Sequence, residues 1–252
     1  FVMDQITERL AEINRKFKSP AIIGGKANFW ADYLGIPNAK LISDRENLDL
    51  GYETHDLVIH ALSLHWHNDP VGQLIQVRNA LKPDGLMLAF LCGGNTLGEL
   101  RTAFQKAEIS NEDGMSPRVA PMVELKKAGD LLVRAGFALN VADSLDLIVS
   151  YDSPLELLYD LRRMGETNIM VERRRKFLNR KTFQKCMDIY AQDFNDEGDT
   201  KRIKATFQIF CLTGWRPAEN QQKPLKPGSA QKNFSEVLKP YELKRDKKNY
   251  TV

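Results

Sequence analysis

The chain has 252 residues, 42% hydrophobic and 27% charged, a composition that supports one sizeable core with at most a small appendage. No apolar run is long enough to cross a membrane as a helix, and a net charge of +3 argues against a polyanionic partner such as nucleic acid. The three cysteines, Cys92, Cys186 and Cys211, have no paired spacing, which excludes a disulfide framework or a zinc site and points to a reducing compartment.

Residues 3–17 carry Ile6, Leu10, Ile13 and Phe17 along one face and predict an amphipathic helix. Asp4, Glu8 and Glu12 interrupt this segment, so the start at Phe1 does not read as a signal peptide. Ala21-Ile22-Ile23 is a short strand running into Gly24-Gly25, followed by a helix over about 27–35 that stops at Gly35-Ile36-Pro37. A strand is expected at Ala39–Ser43 and another at Asp56–Ala61, the latter apolar without alternation, as in a strand covered on both faces. A helix over 70–81 ends at Leu81-Lys82-Pro83-Asp84-Gly85, and Leu86–Leu91 is the next strand.

Alternation of strand and helix over the first 92 residues predicts a parallel sheet with helices on both sides. Further helices are expected at 96–109, 122–135, 153–163 and 180–193, with strands at 137–141, 144–151 and Thr206–Leu212. From Pro217 the chain turns polar and lysine-rich and reads as an extended arm over 217–252. The basic run Arg173-Arg174-Arg175-Lys176 and the lysines of the tail read as solvated faces.

Three pieces in order, Asp56-Leu57-Val58-Ile59, Leu62-Ser63-Leu64-His65-Trp66 and Leu81-Lys82-Pro83-Asp84-Gly85, resemble the middle of class I S-adenosylmethionine-dependent methyltransferases. Gly94–Arg101, Ser116-Pro117-Arg118-Val119, Asp160–Asn168, Ala205–Ile209 and Gly214-Trp215 narrow the likeness. They resemble the mitochondrial complex I assembly factor 5 group and its alphaproteobacterial relatives, near the malonyl-carrier methyltransferases of biotin synthesis. The resemblance implies a Rossmann-like methyltransferase domain over 1–216, with helical cap elements within about 96–200. It also implies a place in the mitochondrial matrix, or the cytoplasm of a bacterium, with protein partners in respiratory complex I or another large assembly.

The sequence departs from that family where the cofactor should lie. Members of the fold carry a glycine-rich turn after the first strand, because glycine lets the backbone approach the ligand. Here that turn is Ile22-Ile23-Gly24-Gly25-Lys26-Ala27-Asn28, with Lys26 and Asn28 at the other two glycine positions. Between Gly24 and Asp44 there is room for one helix and one strand, so the unit that supplies the ribose-binding acid is missing. Asp44-Arg45-Glu46-Asn47-Leu48 resembles the loop whose acid faces the adenine. The resemblance thus leaves Gly24, Gly25, Asp44, Glu46 and Leu48 as a remnant site and makes S-adenosylmethionine a doubtful cofactor.

His65-Trp66-His67 would point two imidazoles the same way in an extended segment. A metal site needs a third ligand, none stands out, and no metal is expected. His65 and Trp66 are candidates for lining a substrate cavity. Arg118, Arg162, Arg163 and Asn168 are candidates for holding a substrate carboxylate or a protein segment, or else for pinning the cap through salt bridges with Glu166 or Asp160. Glu99 and Arg101 read as surface charges. Two functions follow: a pseudoenzyme with a structural or assembly role in a larger complex, or an active methyltransferase or arginine-modifying enzyme acting on a protein or carboxylate substrate.

Overall fold

A computed structural model describes residues 1–112, 114–221 and 228–229. Most of the expected arm at 217–252 lies outside these residues. Residues Phe1–Ala218 form one compact unit.

Its elements in chain order are α1 (Val2–Glu12), β1 (Pro20–Ile23), α2 (Ala27–Tyr33), β2 (Lys40–Ile42), β3 (His55–Ala61), α3 (Pro70–Ala80) and β4 (Leu81–Cys92). There follow α4 (Gly98–Asn111), α5 (Leu125–Ala135), β5 (Ala138–Tyr151), α6 (Pro154–Met164), α7 (Arg180–Asp193) and β6 (Ile203–Trp215). The strands make one sheet in the order β2-β1-β3-β4-β6-β5. β1 to β4 are mutually parallel, while β6 runs antiparallel to β4 and to β5. This is the class I methyltransferase-type sheet shortened by one strand–helix unit: β2 has closed directly onto β1, with Ile23 paired to Ile42.

Period-two alternation divides the parallel strands between two cores. Leu57 and Ile59 of β3 and Leu88 and Phe90 of β4 face α1, α2, α4, α6 and α7. Val58, Met87, Ala89 and Leu91 face α3 and α5. All seven residues of β3 are buried, as expected of a strand covered on both faces. Each large apolar side chain so covered contributes roughly 1.5–3 kcal/mol.

Local signals set the helix ends. Asp69 caps α3 by accepting from the Gly72 amide at 2.8 Å, with Pro70 as first helical residue. Ser153 and Pro154 repeat the device on α6, which ends at Gly165 with φ +87°.

Several expectations need correction. The first helix stops at Glu12 instead of 17, because Ile13 is extended. Helix α4 begins at Gly98, two residues late, since Leu97 takes a left-handed conformation at its start. The strands expected at 137–141 and 144–151 are one strand, β5, with a register shift between Ala138 and Val141. Leu64–Trp66 forms a turn of 3-10 helix that the sequence reading treats as extended.

Candidate functional site

Ligands of α/β sheets lie beyond the carboxyl ends of the parallel strands, and here those ends carry Gly24, His60 and Cys92. Gly24 has φ +143°, and a Cβ on it would stand 2.6 Å from the Ala61 carbonyl oxygen. The turn after β1 is thus packed onto the end of β3, where only glycine fits. Gly25 faces open space. Lys26 takes a left-handed φ of 57° at the start of α2, and both Lys26 and Asn28 are exposed.

The turn after β3 divides the histidines. Because Leu64–Trp66 coils into a 3-10 turn, the two imidazoles do not point together as extended chain would place them. His65 Nε2 lies 3.1 Å from Glu166 Oε1 in the segment after α6, whereas His67 Nε2 contacts the Asp44 carboxylate. Asp44 is therefore engaged by a side chain of the same molecule. The remaining remnant residues are held by α3: Gln76 donates to the Glu46 carbonyl and accepts from the Leu48 amide, both at 2.8 Å.

His60, which the sequence reading passes over, stands fully buried at the end of β3. Its Nδ1 lies 3.2 Å from Ser63 Oγ, and its Nε2 is buried without a partner among the described residues. Its ring meets that of His67 edge-on, 5.9 Å between centroids. Burial, reinforced by His67 and His65, lowers its pKa to about 3, so the imidazole is neutral at ordinary pH. The one signal for it in the sequence is a polar residue inside an apolar strand.

A cavity of about 860 Å³ opens along the same turn, with both His65 and His67 on its lining. His65, Trp66, Arg118, Arg162 and Asn168 line it, joined by Glu166. Arg163 does not line it and is exposed, and none of Gly24, Gly25, Asp44, Glu46 and Leu48 lines it. Its apolar lining includes Leu91, Leu97 and Leu100 with Leu158 and Leu161 of α6.

The polar residues of the cap find other partners than expected. Arg118 pairs with Glu108, which is fully buried on α4, with Nε donating to Oε1 at 2.8 Å. Glu108 also accepts from the Ser116 amide and hydroxyl, each at 2.7 Å. Burial pushes this carboxyl up, but the Ser116 and Arg118 hydrogen bonds outweigh it and hold the group below its usual range. Asp160 accepts from Tyr151 at 3.0 Å, and Asn168 donates to the Pro117 carbonyl at 2.8 Å. The bridges expected from Arg118, Arg162 or Arg163 to Glu166 or Asp160 are thus replaced by Arg118–Glu108, Glu166–His65 and Asp160–Tyr151. Glu99 is no surface charge either: it is buried and accepts from the Thr206 amide and hydroxyl. Arg101 donates to the Ala120 carbonyl at 3.3 Å.

Among the described residues no helix is long and apolar enough to cross a membrane. No model of a known protein family matches the chain. Individual relatives do. The mitochondrial arginine-hydroxylase NDUFAF5 of Homo sapiens is 33% identical over 262 residues, covering 94% of this chain and 75% of its own length. The Danio rerio protein of the same name is 38% identical over 211 residues, 84% of this chain and 65% of its own. A malonyl-[acyl-carrier protein] O-methyltransferase of Laribacter hongkongensis is 32% identical over 190 residues, covering 75% of this chain and 61% of its own. Among solved structures, the YcgJ protein of Bacillus subtilis superposes with a TM-score of 0.53 at 11% identity over 86% of this chain and 98% of its own. The chain spans from about half to three quarters of the length of the curated NDUFAF5 relatives. It belongs to the NDUFAF5 family, related to the methyltransferases whose fold it carries.

Proposed function

We propose that this chain holds an arginine side chain of a partner protein in the cavity beneath its cap, and that it does so without using S-adenosylmethionine. The observation that carries the reading is Glu166, a carboxylate on the wall of a cavity rich in leucine, with Glu172 as a second acid on the lining. A guanidinium fits that environment: a carboxylate grips it in bidentate fashion, the face of Trp66 offers a cation–π contact, and the leucine walls take the aliphatic stem. Of the two arginines on the lining, Arg118 is paired with Glu108 at 2.7 Å and Arg162 is exposed to solvent.

The residues at the ends of β1 and β2 do not fit the cofactor implied by the fold. The acid that would bind it, Asp44, is already engaged by His67. Lys26 brings a positive charge to the turn that would face the cationic sulfonium, and like charges there repel. The missing strand–helix unit leaves β2 against β1 with no further strand to supply a ribose ligand. The name of the relatives supports an arginine substrate and argues against a purely inert scaffold. The resemblance to complex I assembly factors supports a respiratory-complex subunit as partner, in the mitochondrion or in a bacterium.

Calorimetric titration tests both halves. A short peptide with one central arginine is expected to bind at least tenfold more tightly than its lysine counterpart, and S-adenosylmethionine is expected to give no heat up to millimolar concentration. Equal affinity for the two peptides would overturn the arginine pocket. Micromolar cofactor binding, near −8 kcal/mol, would overturn the cofactor-free half of the reading and redirect the search to a methyl acceptor.

A further inference from the structure

We infer that Asp44, His60 and His67 form a site for one divalent first-row transition metal at the carboxyl ends of β2 and β3. One ligand atom from each of the three lies within 4.8 Å of the others. Asp44 and His67 are already in contact. A metal holds such ligands at roughly 2.0–2.2 Å, so closing the trio takes side-chain rotation of Asp44 and His67, and not a rebuilding of the strands. Both stand on the loops that follow β2 and β3, outside the hydrogen-bonded strands.

His60 is the residue that asks for a ligand. It is fully buried, yet its Nε2 has no partner among the described residues, and buried polar atoms are almost always satisfied. The Asp44–His67 pair alone explains those two residues and leaves His60 unaccounted for. Ser63, itself buried, supplies the usual outer contact of a metal-bound histidine. When its hydroxyl accepts from Nδ1–H, the lone pair falls on Nε2, the form that ligates.

The donor set selects the metal class. Two imidazoles with one carboxylate suit zinc, cobalt, nickel or ferrous iron, whereas calcium and magnesium prefer all-oxygen cages. Three protein ligands also leave coordination positions open, as in catalytic sites and unlike the closed four-ligand structural ones. A neighbouring trio, His65, Cys92 and Glu166, is equally close-set. Its thiol, however, is held protonated by burial, its pKa raised to about 12, and the thiolate is the ligating form.

The site shares His67 with the lining of the arginine cavity but takes no other residue from it, and its test reads metal uptake alone, so either can fail alone. The test is titration of the tag-free, chelator-stripped chain with Co(II), read by its ligand-field absorption, with folding checked by circular dichroism. One Co(II) per chain at micromolar affinity or better is expected. Asp44→Asn and His67→Ala should each weaken it at least tenfold, with His65→Ala leaving it unchanged. A folded chain that takes up no Co(II) at millimolar concentration would overturn the site. So would wild-type affinity in both Asp44→Asn and His67→Ala, or a loss confined to His65→Ala.

Discussion

His65 and Glu166 are 101 residues apart in sequence and 3.1 Å apart in space, and their pairing ties the turn after β3 to the end of the cap. Both line the cavity, so the pair is at once a strut and part of the chamber's polar lining. Glu166→Gln keeps the shape and a hydrogen-bonding oxygen but removes the charge a guanidinium needs. The expected outcome is at least a tenfold loss of arginine-peptide affinity in calorimetry. Stability should change by less than about 1 kcal/mol, since the glutamine oxygen can still accept from His65.

Gly24 and Gly25 separate conformational need from ligand need. In a cofactor-binding turn both would matter to binding and neither need matter greatly to folding. Here Gly24 has φ +143° and no room for a Cβ against Ala61, whereas Gly25 has open space around it. Gly24→Ala should therefore destabilise the fold by about 1–3 kcal/mol or more, and Gly25→Ala by less than about 0.5 kcal/mol. Urea unfolding midpoints of the two variants decide the matter.

The main body of the sheet is legible because its signals are local. Asp56–Ala61 reads as a strand covered on both faces, and Lys82-Pro83-Asp84-Gly85 reads as a stop between helix and strand. The shortened sheet follows from counting residues between Gly24 and Asp44, a distance too short for two strand–helix units. What escapes the sequence is set by contacts distant along the chain or by a small change of backbone. One coil of 3-10 helix at Leu64–Trp66 sends His65 and His67 to different partners, which no spacing rule could reveal. Glu99 looks like an exposed helix charge until Thr206, 107 residues later, is known to donate to it. Glu108 is invisible for the same reason, its helix position giving no hint of the Ser116–Arg118 loop that folds over it.

That loop makes Glu108 the charge whose loss the fold should feel most. Its carboxylate is buried and paired with Arg118, and removing one partner of a buried pair leaves the other uncompensated. Glu108→Ala should cost about 3–5 kcal/mol, measurable as a large drop in the urea midpoint. The same group gives the fold an acid limit. Its pKa is lowered in the folded chain from the ordinary 4.5, so its contribution is complete above that value. It is lost as pH falls through the lower folded value, where the folded state must also take up the proton. Stability followed from pH 6 to pH 3 should fall in the wild type, and the part of the slope due to this carboxylate should be missing in Glu108→Ala.

The cysteines supply a reading of tightness in the core on one face of the sheet. Cys92 ends β4, Cys186 lies on α7 and Cys211 on β6, and all three are free and buried. Burial raises Cys92 and Cys186 to about 12 and Cys211 to about 11, so at pH 8 almost none of the reactive thiolate is present in the folded state. A thiol reagent at that pH should therefore label the native chain only as fast as it opens, and all three sites at once after denaturation. Cys92 sits nearest the cavity, next to Leu91 on its wall, and is the one to watch. If it reacts quickly while the other two stay protected, the end of β4 opens independently of the rest of the sheet. Guests would then enter the cavity past β4 instead of through the cap. Uniform protection, relieved only by global unfolding, would leave movement of α6 and the 166–172 segment as the way in.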